Sequence, residues 1–305
     1  WALPIGLYCS ELTNLIPVDA GPYVWTRMAF GEFWGFAFGF WMALAMYLTG
    51  AAYVVLAVDY IGNIIALSPA VAFIIKAAFI IIFTIVNLRG LEEVSTLSTI
   101  FCVIILVAFA AVAVVGLAHW TNNPFDPVMV QGENAFSSWG TGIAIGVWMY
   151  CGYVVIAYIG GEVENPQIIP KGMKICIVLI TLSYLLPTLG GIVSTGPWEE
   201  WGINIDYATV LSRNLAPWAG VAFMICAVIA QCSIFNASIT SATRSFIPMA
   251  QDNLCPKFLA KLSPKRGVPV IPILILAVVN LILVNINFEV LVTILSPVLF
   301  VLYVG

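Results

Sequence analysis

Long apolar stretches separated by short polar segments make up most of the sequence. A helix needs about 20 apolar residues to cross the hydrocarbon core of a bilayer. Six stretches without a charged residue reach that length, at 33–58, 94–118, 135–161, 175–198, 215–243 and 268–288. A seventh, 68–88, contains only Lys76, which we expect to extend towards the lipid headgroups rather than to bind a ligand. Two partial stretches, 1–16 and 290–305, lie at the chain ends. The pattern predicts an all-α integral membrane protein with about nine transmembrane segments, seven of them complete.

Composition supports this prediction and narrows the possible functions. Of the 305 residues, 62% are hydrophobic and 9% are charged, whereas a soluble domain is roughly 25% charged. The 11 basic and 15 acidic residues give a net charge of −4, which excludes a nucleic-acid-binding surface. Seven cysteines form no CxxC pair and there is one histidine, so no metal site is predicted. No cluster of chemically reactive side chains lies at one depth, so we expect no enzyme and no bound cofactor.

The distribution of lysine and arginine between loops predicts the orientation, because cytoplasmic loops carry the excess. Alternate loops, at 17–32, 89–93, 162–174 and 244–267, contain nine of these residues, and the intervening loops contain only Arg213. We therefore expect the four basic loops to face the cytoplasm of a cell membrane crossed many times by the chain.

The stretch 135–161 is rich in glycine, with Gly140, Gly142, Gly146, Gly152, Gly160 and Gly161. Two interpretations fit this composition equally. Glycine permits a break in the helix, and discontinuous helices in transporters expose backbone groups that bind substrate and ions. Glycine also permits close packing of ordinary membrane helices.

Several short motifs resemble the amino acid–polyamine–organocation superfamily of transporters. The motifs occur in the family's order, across nearly the whole chain. They are Ser10-Glu11-Leu12 with Pro17-Val18-Asp19-Ala20-Gly21-Pro22-Tyr23, then Gly31-Glu32-Phe33-Trp34-Gly35-Phe36, Asn87-Leu88-Arg89-Gly90, Gly161-Glu162-Val163-Glu164-Asn165-Pro166-Gln167, and the stretch from Arg244 to Pro256 with Met249-Ala250-Gln251-Asp252-Asn253. Departures at Ala20, Pro22, Gln251 and Asn253 leave the resemblance intact.

The resemblance implies an inverted-repeat helical bundle of the LeuT-like kind. Members have twelve helices, ten of them in two inverted five-helix repeats, and substrate binds between the broken first and sixth helices. Residues 1–305 would form a single transmembrane domain, with helices two to five in 1–118 and helices six to ten in 135–305. We expect a truncated bundle that lacks the first helix and the last two.

The resemblance also implies a set of substrate-binding residues. Trp148 and Tyr150 would form an aromatic gate, or alternatively would pack against neighbouring helices. Backbone groups at Cys151 and Gly152 would bind the α-amino group. Relatives that handle cationic substrates often have an acidic residue where this chain has Val154, so an unpaired buried cation would be costly there. Helices three and eight would contribute the remaining positions, Ala45, Met46, Gly50, Ser233, Asn236 and Ser238; the polar side chains on helix eight could equally bond to their own helix.

Charged residues at the inner end of 135–161 suggest a gate. Glu162 and Glu164 would pair with Arg27 or Arg89 to hold the cytoplasmic side closed, or would simply be solvated.

The leading hypothesis is a secondary active transporter that moves neutral amino acids by alternating access. The alternatives are a polyamine or cationic amino-acid carrier, and a nutrient sensor of the same fold that no longer transports. The expected partners are a small-molecule substrate and the lipid bilayer. A coupling ion, H⁺ or Na⁺, is possible but unassigned, and the oligomeric state is not predicted.

Overall fold

Five helices long and apolar enough to cross a membrane lie in the described part of the chain. The computed structural model describes residues 2–126, 134, 136, 139–140, 142–143, 146, 149–197, 200–202, 204–288, 290–291 and 293. The five are α3 (Glu32–Ile64), α4 (Pro69–Arg89), α5 (Leu91–Ala118), α6 (Ile169–Ser194) and α8 (Pro217–Gln251). Each coincides with a predicted membrane span, so the all-α membrane prediction is confirmed.

Four shorter α-helices are also described. They are α1 (Ala2–Leu15), α2 (Gly21–Phe30), α7 (Tyr207–Asn214) and α9 (Val270–Leu283). The helix α9 has 14 residues, fewer than the 21 of its apolar stretch. Most of 135–148 and of 290–305 lies outside the described residues, so two of the nine predicted segments stay predictions.

Local sequence explains where the helices begin and end. Ser68 precedes α4, and its hydroxyl accepts a hydrogen bond from the Val71 amide at 3.4 Å, while the following proline needs no amide partner. Gly31 and Gly90 have φ of 91° and 134°, a region that other residues rarely adopt. These glycines let the chain turn between α2 and α3 and between α4 and α5 without leaving a long loop.

The described chain divides into two compact units. The first unit comprises 1–7, 103–153 and 171–227, and the second comprises 8–102, 154–170 and 228–305. In the second unit α3, α4 and α9 pack together, and aromatic rings from three helices meet at its core, with Phe235 6.0 Å from Phe83. In the first unit a Cβ at Gly116 would lie 2.3 Å from the Gly190 carbonyl, so glycine is required for that close approach of α5 and α6.

Lys76 differs from the sequence expectation. Its ammonium group donates to the carbonyl of Val284 at 3.2 Å, just beyond the last residue of α9. A cation at the C-terminal end of a helix is favourable, because the last carbonyls there have no intrahelical partner. Lys76 therefore joins α4 to the end of α9 instead of only extending towards headgroups.

Candidate functional site

The loop before α2 is held against the C-terminal end of the stretch 135–161. In that segment the backbone is a 3₁₀-helix over Cys151–Tyr158, followed by a short 3₁₀ turn, Gly160–Glu162. The Ala20 amide donates to the Tyr158 carbonyl at 3.3 Å, and Asp19 forms an antiparallel bridge with Ile159. Backbone hydrogen bonds thus dock the first loop on this turn.

Two glycines make the docking possible. A Cβ at Gly160 would lie 3.0 Å from the Val18 carbonyl oxygen, and a Cβ at Gly161 would lie 3.0 Å from Asp19 Oδ1 and 3.1 Å from its amide nitrogen. All three distances are tighter than ordinary contacts. The pair of glycines therefore sets how closely the loop can approach, a role that composition alone did not indicate.

An ion pair between a buried arginine and a partly exposed glutamate lies beside this contact. Arg244, on α8, is only 3% exposed at its side chain, and its guanidinium binds both carboxylate oxygens of Glu162. The Nη2–Oε2 distance is 3.1 Å, and Nη1 donates to the Thr240 carbonyl at 3.1 Å. A bidentate arginine–carboxylate pair is a strong, directional contact. We call Asp19, Glu162 and Arg244 the charge cluster.

Asp19 is the third member of the charge cluster. Its Oδ1 is buried and has no hydrogen-bond partner within the described residues. Burial raises the pKa of the Asp19 carboxyl above its ordinary value, and the nearby negative charge of Glu162 raises it further; Arg244 and the Gly161 amide act in the opposite direction. The cluster therefore places two carboxyl groups around one guanidinium.

A second charged contact joins α2 to the end of α8. Arg27 binds Asp252 Oδ2, and the Tyr23 hydroxyl donates to the same oxygen at 2.6 Å. Arg27 is also 3.8 Å from Glu32. Burial, followed by the hydrogen bond and charge of Asp252, raises the pKa of Tyr23 above its ordinary value, so this hydroxyl stays protonated and keeps donating. We call Tyr23, Arg27 and Asp252 the clamp.

A cavity of about 430 Å³ lies between the two contacts. Its walls include residues from both, together with apolar groups from the loop and α8. The polar and backbone contributors are Asp19, Arg27, Gly161, Gln251 and Asp252. The cavity is large enough to hold several water molecules against these groups.

The structure gives Glu162 a different partner from the one expected. Glu162 pairs with Arg244, and Arg27 pairs with Asp252, although Arg27 and Arg89 were the partners expected for Glu162. Glu164 and Arg89 are both exposed. Asp19, Arg244 and Asp252 were not selected from the sequence as gate residues. Their signal was present, since all three lie within or beside the family-like motifs.

The predicted aromatic gate is only partly within the described residues. Trp148 lies outside them, as do the side chains of Cys151 and Val154, while Gly152 is exposed. Tyr150 packs against α6: its ring centroid is 5.4 Å from that of Tyr184, and its hydroxyl donates to Thr181 at 3.3 Å. This geometry favours the packing interpretation for Tyr150. The 3₁₀ geometry from Cys151 onwards fits the predicted break.

On α3, the three predicted pocket positions lie in the core of the second unit. Ala45 is 3% exposed, and Met46 packs against two buried clusters. A Cβ at Gly50 would lie 2.8 Å from Oδ1 of Asn280, a buried oxygen without a partner within the described residues. Their contact with substrate stays a prediction.

On α8, Asn236 joins three helices. Its side-chain oxygen accepts from Asn87 at 2.9 Å, and its amide donates to Ser98 at 3.2 Å. Ser238 donates to the Phe235 carbonyl of its own helix at 2.8 Å, the alternative left open from the sequence. Ser233 is partly exposed. Asn236 is thus occupied by interhelical bonds, and substrate binding by these residues stays a prediction.

Comparison with known proteins identifies the family. A family model described as amino acid permease matches residues 1–304. The chain belongs to this family. It is 28% identical over 279 residues to a probable polyamine transporter of Arabidopsis thaliana, covering 90% of this chain and 57% of that protein. It is 26% identical over 299 residues to the polyamine transporter PUT1 of Oryza sativa subsp. japonica, covering 95% and 54%. An uncharacterized transporter of Mycobacterium tuberculosis, Rv1999c, is 25% identical over 270 residues, covering 86% and 59%.

Two consequences follow for this permease. The chain spans a little more than half the length of these relatives. The match over almost all of the chain confirms the transporter superfamily and, with it, the inverted-repeat bundle expected from the motifs. Membership of a family of multi-pass membrane transporters is therefore established over residues 1–304.

Proposed function

We propose that the full-length protein is a secondary carrier that moves neutral amino acids across a cell membrane by alternating access. The main observation in support is that the seven apolar stretches contain no acidic residue and only one charged residue, Lys76. Val154 also stands at the position where cationic-substrate relatives often have an acid. An ammonium group buried without a carboxylate partner costs several kcal/mol, roughly 3–5 when one member of an ion pair is missing.

The charge cluster and the clamp would form the cytoplasmic gate of this carrier. Both join the first basic loop, 17–32, to other segments of the chain. Arg244 of the charge cluster lies on α8, and Asp252 of the clamp directly follows the end of α8. Alternating access requires such contacts to break when the inner side opens. Because Arg244 is buried and bidentate, its release needs solvent to reach the guanidinium. Opening would therefore involve undocking of the whole loop rather than rotation of one side chain.

A polyamine is the second candidate substrate. It is favoured by the names of the relatives, two of which are described as transporters of polyamines. Against it, a polyamine carries several cations that need carboxylates or aromatic faces along the path. The aromatic residues near the predicted break could supply such faces, but not charge neutralisation.

Competition for uptake separates these candidates. Full-length protein in proteoliposomes would take up labelled leucine, with unlabelled leucine, arginine and putrescine as competitors. We expect leucine to compete well and putrescine poorly. The matched variant Val154→Asp should gain sensitivity to putrescine, because it restores a carboxylate for the ammonium group. Better competition by putrescine than by leucine in the natural protein would contradict the proposal.

A further inference from the structure

We propose that Asp19 is a proton-binding residue, and that docking of the first loop on the turn at 158–161 takes up a proton at its carboxylate. The inference rests on the proposed function, to which it adds H⁺ as a coupling ion. In chemical terms, hydronium transfers a proton to the carboxylate, leaving water and a neutral carboxylic acid, and no electron moves.

The hydrogen bonds of Arg244 go to Glu162 and Thr240 and leave the Asp19 carboxyl group without an arginine donor among the described residues. Arg244 uses Nε and Nη2 on Glu162, and Nη1 on the Thr240 carbonyl. The guanidinium is thereby committed to one carboxylate. Asp19 keeps a buried oxygen without a donor among the described residues. A buried, ionised and unpartnered oxygen is strongly unfavourable, and protonation is the least costly way to remove the charge.

The remaining charged groups near Asp19 do not offset this charge. Across the cavity lie Arg27 and Asp252, which pair with each other. The Tyr23 hydroxyl is also committed to Asp252. On the turn, Glu162 adds negative charge, and on α8 Arg244 is its partner. Among the described residues that form the charge cluster or line the cavity, the three carboxyl groups of Asp19, Glu162 and Asp252 accompany the two guanidinium groups of Arg27 and Arg244.

Proton exchange also needs water at the carboxyl group. Asp19 lines the cavity of about 430 Å³, together with Gly161 and Gln251. Water in this space can deliver the proton without passing through the apolar core.

Linkage fixes the direction of the pH effect. In the undocked loop, Asp19 would face water with an ordinary pKa of about 3.9. In the docked loop its pKa is raised. Docking is therefore most favourable below the ordinary pKa, and weakens as pH rises through the raised pKa. Between the two values, closing of the gate takes up a proton and opening releases it.

Proton movement during transport tests this inference. Full-length protein would be reconstituted with a pH-sensitive dye inside the vesicles, and H⁺ and labelled leucine would be followed together. In Asp19→Asn we expect about a tenfold loss in the number of protons moved per leucine and a flatter pH profile of leucine uptake than in the natural protein. The matched control is Glu92→Gln, which changes an exposed carboxyl group at the start of α5 and should behave as the natural protein.

The possible outcomes distinguish failure of the Asp19 inference from failure of the proposed carrier function. Leucine movement without any dependence of H⁺ movement on Asp19 would overturn the inference and leave the carrier intact. No leucine movement in any variant would overturn the proposed function itself. If Asp19→Asn does not fold, infrared spectra test the inference instead. The natural protein at mildly acidic pH should show the C=O band of a protonated aspartic acid. In Asp19→Glu the C=O band of a protonated glutamic acid should replace it. No protonated band in the natural protein would overturn the inference.

Discussion

The ion pair between Glu162 and Arg244 offers the sharpest test of the charge cluster. Replacing Glu162 by glutamine removes the charge but keeps the shape and one acceptor. Arg244 then remains a buried cation at 3% side-chain exposure, with the Thr240 carbonyl as its other described partner. We expect this variant to lose stability because the guanidinium loses its bidentate carboxylate partner.

The magnitude follows from the burial of the two partners. Removing one member of a buried ion pair costs about 3–5 kcal/mol. Glu162 is 28% exposed, so solvent offsets part of that loss, and the glutamine oxygen retains a hydrogen bond worth about 1 kcal/mol. We therefore expect Glu162→Gln to lower the free energy of unfolding by about 2–3 kcal/mol.

A double-mutant cycle separates the pair from its surroundings. Reversible unfolding of the full-length protein in mixed micelles would be measured for Glu162→Gln, Arg244→Gln and the double variant. We expect a coupling energy of about 2–3 kcal/mol, near the upper end for residues in direct contact. A coupling energy below about 0.5 kcal/mol would refute the reasoning, since that is the value for independent sites.

Two further predictions concern packing. Gly161→Ala should destabilise the protein by about 1–3 kcal/mol, because the new methyl group meets Asp19. Gly172→Ala places its methyl group in open space and should not destabilise the protein. Thermal unfolding of both variants checks this prediction. Asn236→Leu should lower the free energy of unfolding by about 1–3 kcal/mol, because its buried partners lose their hydrogen bonds. Ser238→Ala should lower it by less than about 1 kcal/mol, because the hydrogen bond of Ser238 lies within its own helix. Equal losses in the same assay would contradict the interhelical network.

The membrane helices could be predicted because their signal is local. An apolar stretch of sufficient length can be recognised without knowledge of its neighbours, and α3, α4, α5, α6 and α8 lie where such stretches occur. The departure from α-helical geometry at Cys151–Tyr158 was also signalled locally, by glycines.

The partners within the candidate site could not be predicted in the same way. Glu162 and Arg244 are 82 positions apart, and Asp252 is 225 positions from Arg27, so each pairing depends on how distant segments pack. Asn236 shows the same limit. Its residue type fits a binding site and an interhelical bond equally, and only the positions of Asn87 and Ser98 decide in favour of the bond.

Cross-linking of the clamp tests the gate most directly. Arg27→Cys and Asp252→Cys, combined in one full-length protein, place two thiols where the side chains now meet. Before treatment the variant should take up leucine, and a short bismaleimide should then abolish uptake, while the natural protein treated in the same way remains active. Undiminished uptake by a fully cross-linked variant would show that the loop need not leave α8, and would contradict the proposed gate.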